Sequence, residues 1–155
     1  MKAVGARLPR YDGLAHVTAR SVYVDDVRVP GTLVAKALRS PHHHAAITRI
    51  DAARAERLAG VRAVVTHEDV PKNLYGHLEA LGIPADEPLL AEDDVRYRGQ
   101  PIAAVAAEDA DTALEALDAI EVEYEERPAL FDMRKALDPD APRIHQWGGV
   151  YPHFG

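Results

Sequence analysis

The sequence predicts an α+β domain, mixed β-strands with two main helices, and three observations carry that prediction. Residues 102–107 are an unbroken apolar run between a turn and an acidic cluster, which suits a strand covered on both faces. Ala110, Ala113, Leu114, Leu117, Ala119 and Ile120 recur at helical spacing, so one stripe of a helix is apolar. Glu121-Val122-Glu123-Tyr124-Glu125 alternates polar and apolar, the pattern of a strand with one wet face. Strand, helix and strand in direct succession bury the helix stripe on a sheet.

Punctuation supports each element. Glu108, Asp109 and Asp111 stand at the helix start, where a carboxylate accepts free N–H groups and meets the positive end of the dipole. Gly99-Gln100-Pro101 is a turn: Gly99 is free to take positive φ and Pro101 lacks a donor. Pro128 ends the last strand.

Earlier in the chain, residues 1–20 lack periodicity and read as an extended N-terminal arm that lies on something. Residues 21–26 read as a short strand ending in acids, followed by a Pro30-Gly31 turn. Residues 32–39 read as a strand stopped by Ser40-Pro41, and residues 46–51 as a second strand paired with it. Asp51 is placed to cap a short helix over 52–58 ended by Gly60. Residues 61–66 read as a buried strand, and 67–70 as one helical turn before Pro71. The signal fades over 71–94, a long loop that is either functional or an insertion. Residues 129–131 extend a strand, Asp132 caps a brief helix to Leu137, and 138–155 are an irregular tail or the start of a linker. The domain proper is therefore placed at 21–137.

Composition narrows the function classes. Apolar content of 47% and charged content of 28% are those of a globular chain, not a disordered one. A net charge of −7, concentrated after Asp86, speaks against nucleic-acid binding. No apolar run reaches the ~20 residues of a membrane span. Residues 1–5 run straight into polar sequence, so no secretory leader is expected. The absence of cysteine excludes disulfides, thiolate zinc sites and protein-ligated iron–sulfur clusters, and fits a cytoplasmic protein.

Few residues look chemical. His42-His43-His44 suggests a metal site, but neighbours on an extended strand face opposite ways, so at most His42 and His44 share a face. Two imidazoles still need further ligands from His67, His77 or a carboxylate. His16, His145 and His153 are isolated and read as surface or satisfied polar residues. Trp147 and Tyr151, between His145 and His153, make an aromatic tail that either lies against a partner domain or begins a linker. Gly148-Gly149 lacks the Lys and following helix of a phosphate loop, and no Gly-x-Ser-x-Gly nucleophile elbow occurs. Asp25-Asp26, Asp93-Asp94 and Glu125-Glu126 are adjacent pairs whose side chains diverge, making poor acid/base partners. Gln100 is the most interesting polar spot: it either completes its turn or hydrogen-bonds a cofactor or an adjoining domain, and the turn is favoured.

The stretch Asp94-Val95-Arg96-Tyr97-Arg98-Gly99-Gln100-Pro101-Ile102-Ala103-Ala104-Val105-Ala106-Ala107, with its Ala-rich helix and Val122-Glu123-Tyr124-Glu125, resembles the α/β hammerhead domain. That domain opens the large subunit of the molybdenum hydroxylases, the xanthine dehydrogenase and aldehyde oxidase family. Arg39-Ser40-Pro41-His42, the helix after Asp51, Gly60-Val61 and Glu68-Asp69-Val70-Pro71 fall in the family's order, and the resemblance covers about residues 4–137. One departure is Ala19, where the family commonly has Gly. The resemblance implies an oxidoreductase that hydroxylates N-heterocycles or aldehydes with oxygen from water. It implies a molybdenum–pterin, usually the cytosine dinucleotide form, with [2Fe–2S] clusters and FAD on other domains or subunits. Partners would be the remainder of the molybdenum-binding subunit and the iron–sulfur and flavin subunits. The family's cofactor loops and catalytic glutamate lie beyond this domain, so the expected catalytic, cofactor-binding and metal residues within the chain are none, and the chain alone is expected to be inactive. The alternative is a free-standing split subunit or small protein-binding module of the same fold without catalysis.

Overall fold

The computed structural model describes residues 4–76, 79 and 85–145. Contacts divide the chain into two compact units, residues 1–32 and 33–155.

The first unit is less extended than its sequence suggests. It holds one short helix, α1 (Gly13–Val17), and a 3-10 turn at Val24–Asp26 where a strand was expected. The aspartates explain the turn. Asp26 Oδ2 accepts the Tyr23 N–H at 2.9 Å, and a side chain that caps its own backbone competes with strand pairing. Ala19 takes φ 54°, the left-handed conformation that the glycine common in the resembled family adopts freely. A Cβ there costs roughly 1–2 kcal/mol.

The second unit carries the sheets. β1 (Val34–Arg39), β7 (Pro101–Ala107) and β3 (Val61–Val65) form an antiparallel sheet in the order β1-β7-β3, and β6 (Asp94–Val95), β2 (Ala45–Asp51) and β8 (Glu121–Glu126) form a second in the order β6-β2-β8. β4 (Leu74–Tyr75) and β5 (Glu87–Pro88) make a small ladder within the long loop. The expected pairing of residues 32–39 with 46–51 does not occur. β1 pairs with β7, Val34 opposite Ala107, and β2 pairs with β8, Ala45 opposite Glu126. Helix α2 (Ala110–Asp118) crosses from β7 in one sheet to β8 in the other, so strand, helix and strand bridge two layers rather than build one.

This topology explains why 102–107 is apolar throughout. Ala103, Val105 and Ala107 join one core cluster with Ala113, Ala116, Ala119 and Ile120 at α2, while Ile102 belongs to a second cluster with Ala45, Ala91 and Val95. The cross-strand pair Ile50 and Val122 packs against both clusters. Asp109 caps α2, its Oδ1 accepting the Thr112 N–H at 2.8 Å. Gly60 takes φ +86° before β3, and a Cβ there would stand 3.2 Å from Thr112 Cγ2, so glycine lets this loop approach the helix.

Two further expectations give way. Residues 52–58 form no α-helix, only a 3-10 turn at Ala55–Arg57. The expected Asp51 cap is not formed either: Arg54 stands at the N-cap with no side-chain cap bond, Asp51 Oδ1 accepts the Ala53 N–H at 3.0 Å ahead of the turn, and seven residues give too few i→i−4 bonds to offset nucleation. Residues 129–131 add no strand; β8 stops at Glu126 and a 3-10 turn follows at Lys135–Leu137, with Asp132 Oδ1 accepting the Arg134 N–H.

Candidate functional site

Gln100 and the His42–His44 run, singled out in the sequence, lie along one seam, where the end of β1 and start of β7 lie beside the start of β2 and end of β8. Gly99 is at φ +93° in the turn before β7, and its carbonyl accepts the Arg39 guanidinium at 2.8 Å. Ser40 N–H donates to the Gln100 carbonyl and Gly99 N–H to the Ser40 carbonyl, both at 2.9 Å. Gln100 turns inward: it is 2% exposed, and its Oε1 accepts the Arg96 N–H at 2.7 Å. The turn reading of Gln100 is the one this geometry favours.

Three adjacent imidazoles go three ways. His42 Nδ1 lies 3.1 Å from Glu126 Oε1, and its ring packs 4.6 Å from that of Tyr124, whose phenol pKa is pushed up by burial. His43 sits edge-on to Phe131 at 5.0 Å. His44 is buried and its Nδ1–H donates to the Pro128 carbonyl at 2.8 Å, which fixes the proton on that nitrogen. The Arg127 N–H donates back to the His44 carbonyl. Ser40 Oγ accepts the His42 N–H at 3.0 Å. Among the described residues no three His, Cys, Asp or Glu side chains are grouped to hold a metal.

The remaining candidates are scattered. His16, an isolated residue in sequence, is the hub of the first unit: Nε2 lies 2.9 Å from Asp12 Oδ2 and Arg10 Nη2, and Nδ1 lies 2.9 Å from Ser21 Oγ and Tyr23 Oη. His67 opens a 3-10 turn, and its Nδ1 is buried without a hydrogen-bond partner among the described residues. His145 is exposed. His77, Trp147, Gly148, Gly149, Tyr151 and His153 lie outside the described residues. Of the carboxylate pairs, Asp94 lies 3.4 Å from Arg96 Nε, while the Asp93 carbonyl accepts the Ile47 N–H. Asp25 and Asp26 sit in their 3-10 turn, and Glu125 and Glu126 are both exposed on β8.

Sequence reading missed Ser40 and Arg96 as members of the seam. Arg96 is 14% exposed, and its Nη1 donates to the Asp86 carbonyl at 3.2 Å. The only signal was the polar run Arg96 to Gln100 directly before the apolar strand β7, of which the two ends, Arg96 and Gln100, turn inward while Tyr97 and Arg98 stay exposed. Chemically the seam pairs turn backbone with turn side chain and sets no base beside a nucleophile. It ties one sheet to the other.

The family model described as "Aldehyde oxidase and xanthine dehydrogenase, a/b hammerhead domain" matches residues 18–128. A probable xanthine dehydrogenase subunit of Bacillus subtilis is 46% identical over 91% of this chain and 18% of its own length. "Nicotinate dehydrogenase large molybdopterin subunit" of Eubacterium barkeri is 39% identical over 93% of this chain and 33% of its own length. Among solved structures, the aldehyde oxidoreductase from Desulfovibrio gigas superposes with a TM-score of 0.78 at 32% identity, covering 89% of this chain and 16% of that one. The chain thus spans from 16% to 33% of the length of these three proteins. With the two-sheet core and its polar seam in place beneath these likenesses, the chain belongs to the aldehyde oxidase and xanthine dehydrogenase a/b hammerhead family.

Proposed function

We propose that this chain acts as the N-terminal structural and docking domain of a molybdenum–pterin hydroxylase large subunit, an oxidoreductase of the xanthine dehydrogenase and aldehyde oxidase type. The observation that carries this is one of extent: the family match spans the chain's sheets, yet the B. subtilis relative is more than five times as long. On this reading the domain holds its own two-layer core and presents surface to the rest of the subunit. Nineteen large apolar side chains stand exposed among the described residues, which suits a domain with neighbours to cover them.

On this reading no catalytic, cofactor-binding or metal residue is assigned to this chain; its most metal-like residues, His42, His43 and His44, each turn their ring to a different partner. The cytosine dinucleotide form of the pterin belongs to the remainder of the molybdenum-binding subunit, and [2Fe–2S] and FAD to partner domains or subunits in the cytoplasm. No helix among the described residues is long and apolar enough to cross a membrane.

The test is assembly. The chain alone is expected to hold no molybdenum by elemental analysis and to hydroxylate neither hypoxanthine, nicotinate nor benzaldehyde. Mixed with the rest of a large subunit and its iron–sulfur and flavin partners, it should co-elute on gel filtration and restore turnover. Hydroxylation by the chain alone, or failure to associate, overturns the proposal.

A further inference from the structure

The β6-β2-β8 sheet has two free edges, and they differ. The outer edge is β8, where Glu121, Glu123, Glu125 and Glu126 are four of six residues, a charge density that discourages edge-to-edge pairing with a second copy of itself. The other is the second half of β2. β6 pairs only with Ala45 and Ala46, and the Asp93 carbonyl takes the Ile47 N–H. From Thr48 to Asp51, β2 keeps β8 on one side and has no strand on the other among the described residues.

That open side borders a groove of about 580 Å³ lined by residues 47–50 of β2, by the 66–69 turn and by Glu92 and Asp93. Glu56, Glu68, Asp69, Glu92 and Asp93 all line it. The groove's single arginine, Arg49, is paired with Asp51 and Glu123. His67, whose buried Nδ1 has no hydrogen-bond partner among the described residues, lines it too.

We propose that this groove takes an extended polypeptide segment bearing lysine or arginine, which adds to the sheet in line with β6. The strand edge supplies backbone hydrogen bonds, the mode by which extended peptides join open sheets. The acidic wall supplies charge selection and register. Residues 146–155 of the chain are a poor match, since they contain no lysine or arginine. The proposal rests on the docking function above and places it.

The probe is a fluorescein-labelled Lys-Val-Lys-Val-Lys-Val peptide, titrated into the full chain by anisotropy, with amide exchange read at residues 48–51. Binding should slow exchange at those of the 48–51 amides that point away from β8. It should weaken about tenfold or more in the Glu56→Lys, Glu68→Lys and Glu92→Lys triple variant, whose substituted side chains are exposed and whose circular dichroism should be unchanged. A peptide N-methylated at alternate residues should lose binding. Absence of binding, equal binding of the N-methylated or a glutamate-for-lysine peptide, or unchanged exchange overturns the proposal. Should the chain assemble with the rest of its subunit while the peptide test fails, the docking function stands and the β2 groove is not its place.

Discussion

At the residue scale, the first unit shows how much one polar cluster does without a core. None of its described residues is buried, so α1 has no apolar packing to hold it. What holds it is the ring of contacts around His16. The Arg10 guanidinium, and after it His16, keep the Asp12 carboxyl below the usual carboxylate range. The sign follows. A depressed pKa means the folded arm prefers the ionised carboxylate, so its contribution is present above the ordinary carboxylate pKa and is lost as pH falls through the depressed value. Arg10→Ala removes the larger cause and should raise the Asp12 pKa toward the ordinary value, read by the pH dependence of its carboxyl carbon shift in NMR. An unchanged titration in that variant would assign the shift elsewhere. Sequence carried no hint of this hub except the Asp12–His16 spacing of one helical turn. Gln100 was legible as a turn residue because Gly and Pro flank it. His44 was not legible as buried, because three identical residues in a row carry no facing information.

At the element scale, the buried residues of α2 are alanines, Ala113 and Ala116, with the partly buried Leu117 beside them. Ala113, Ala116 and Ala119 from the helix region face Ala103, Val105 and Ala107 of β7. Small side chains let the two backbones come close, and close packing leaves no room for growth. Ala116→Leu should therefore cost about 1–3 kcal/mol of overpacking in urea unfolding. Leu114→Ala, on the half-exposed flank of the same helix, should stay within about 1 kcal/mol. Equal effects would mean that α2 is not seated on its alanine stripe. The same contrast marks what the sequence made readable. β7, α2 and β8 follow from local periodicity, and their bounds agree with the structure within a residue or two. The partner of each strand does not follow, because β1 and β2 are neighbours in sequence but pair with strands some fifty to eighty residues away. Periodicity reports which face is buried, and β7 is buried on both, so its run gives no sign of which layer lies on either side.

At the scale of the whole molecule, both apolar clusters, with the partly buried residues packed against them, are assembled within residues 38–124. The contact boundary falls between Thr32 and Leu33. A chain starting at Leu33 therefore retains every strand, helix α2, both clusters and the seam of Ser40, His44 and Gln100. It should unfold in one cooperative thermal transition. The change in Tm should be smaller than about 4 °C, the shift that roughly 1 kcal/mol produces in a domain of about a hundred residues. Scanning calorimetry of the two lengths decides the matter. A broadened or non-cooperative transition in the shorter chain would make the first unit part of the core's support. An unchanged transition would leave residues 4–32, with Leu8, Leu14, Val17, Val22 and Val24 exposed, as surface kept for contacts beyond this core. Removing them should then weaken co-elution with the rest of the large subunit while the domain's own stability stays as it was.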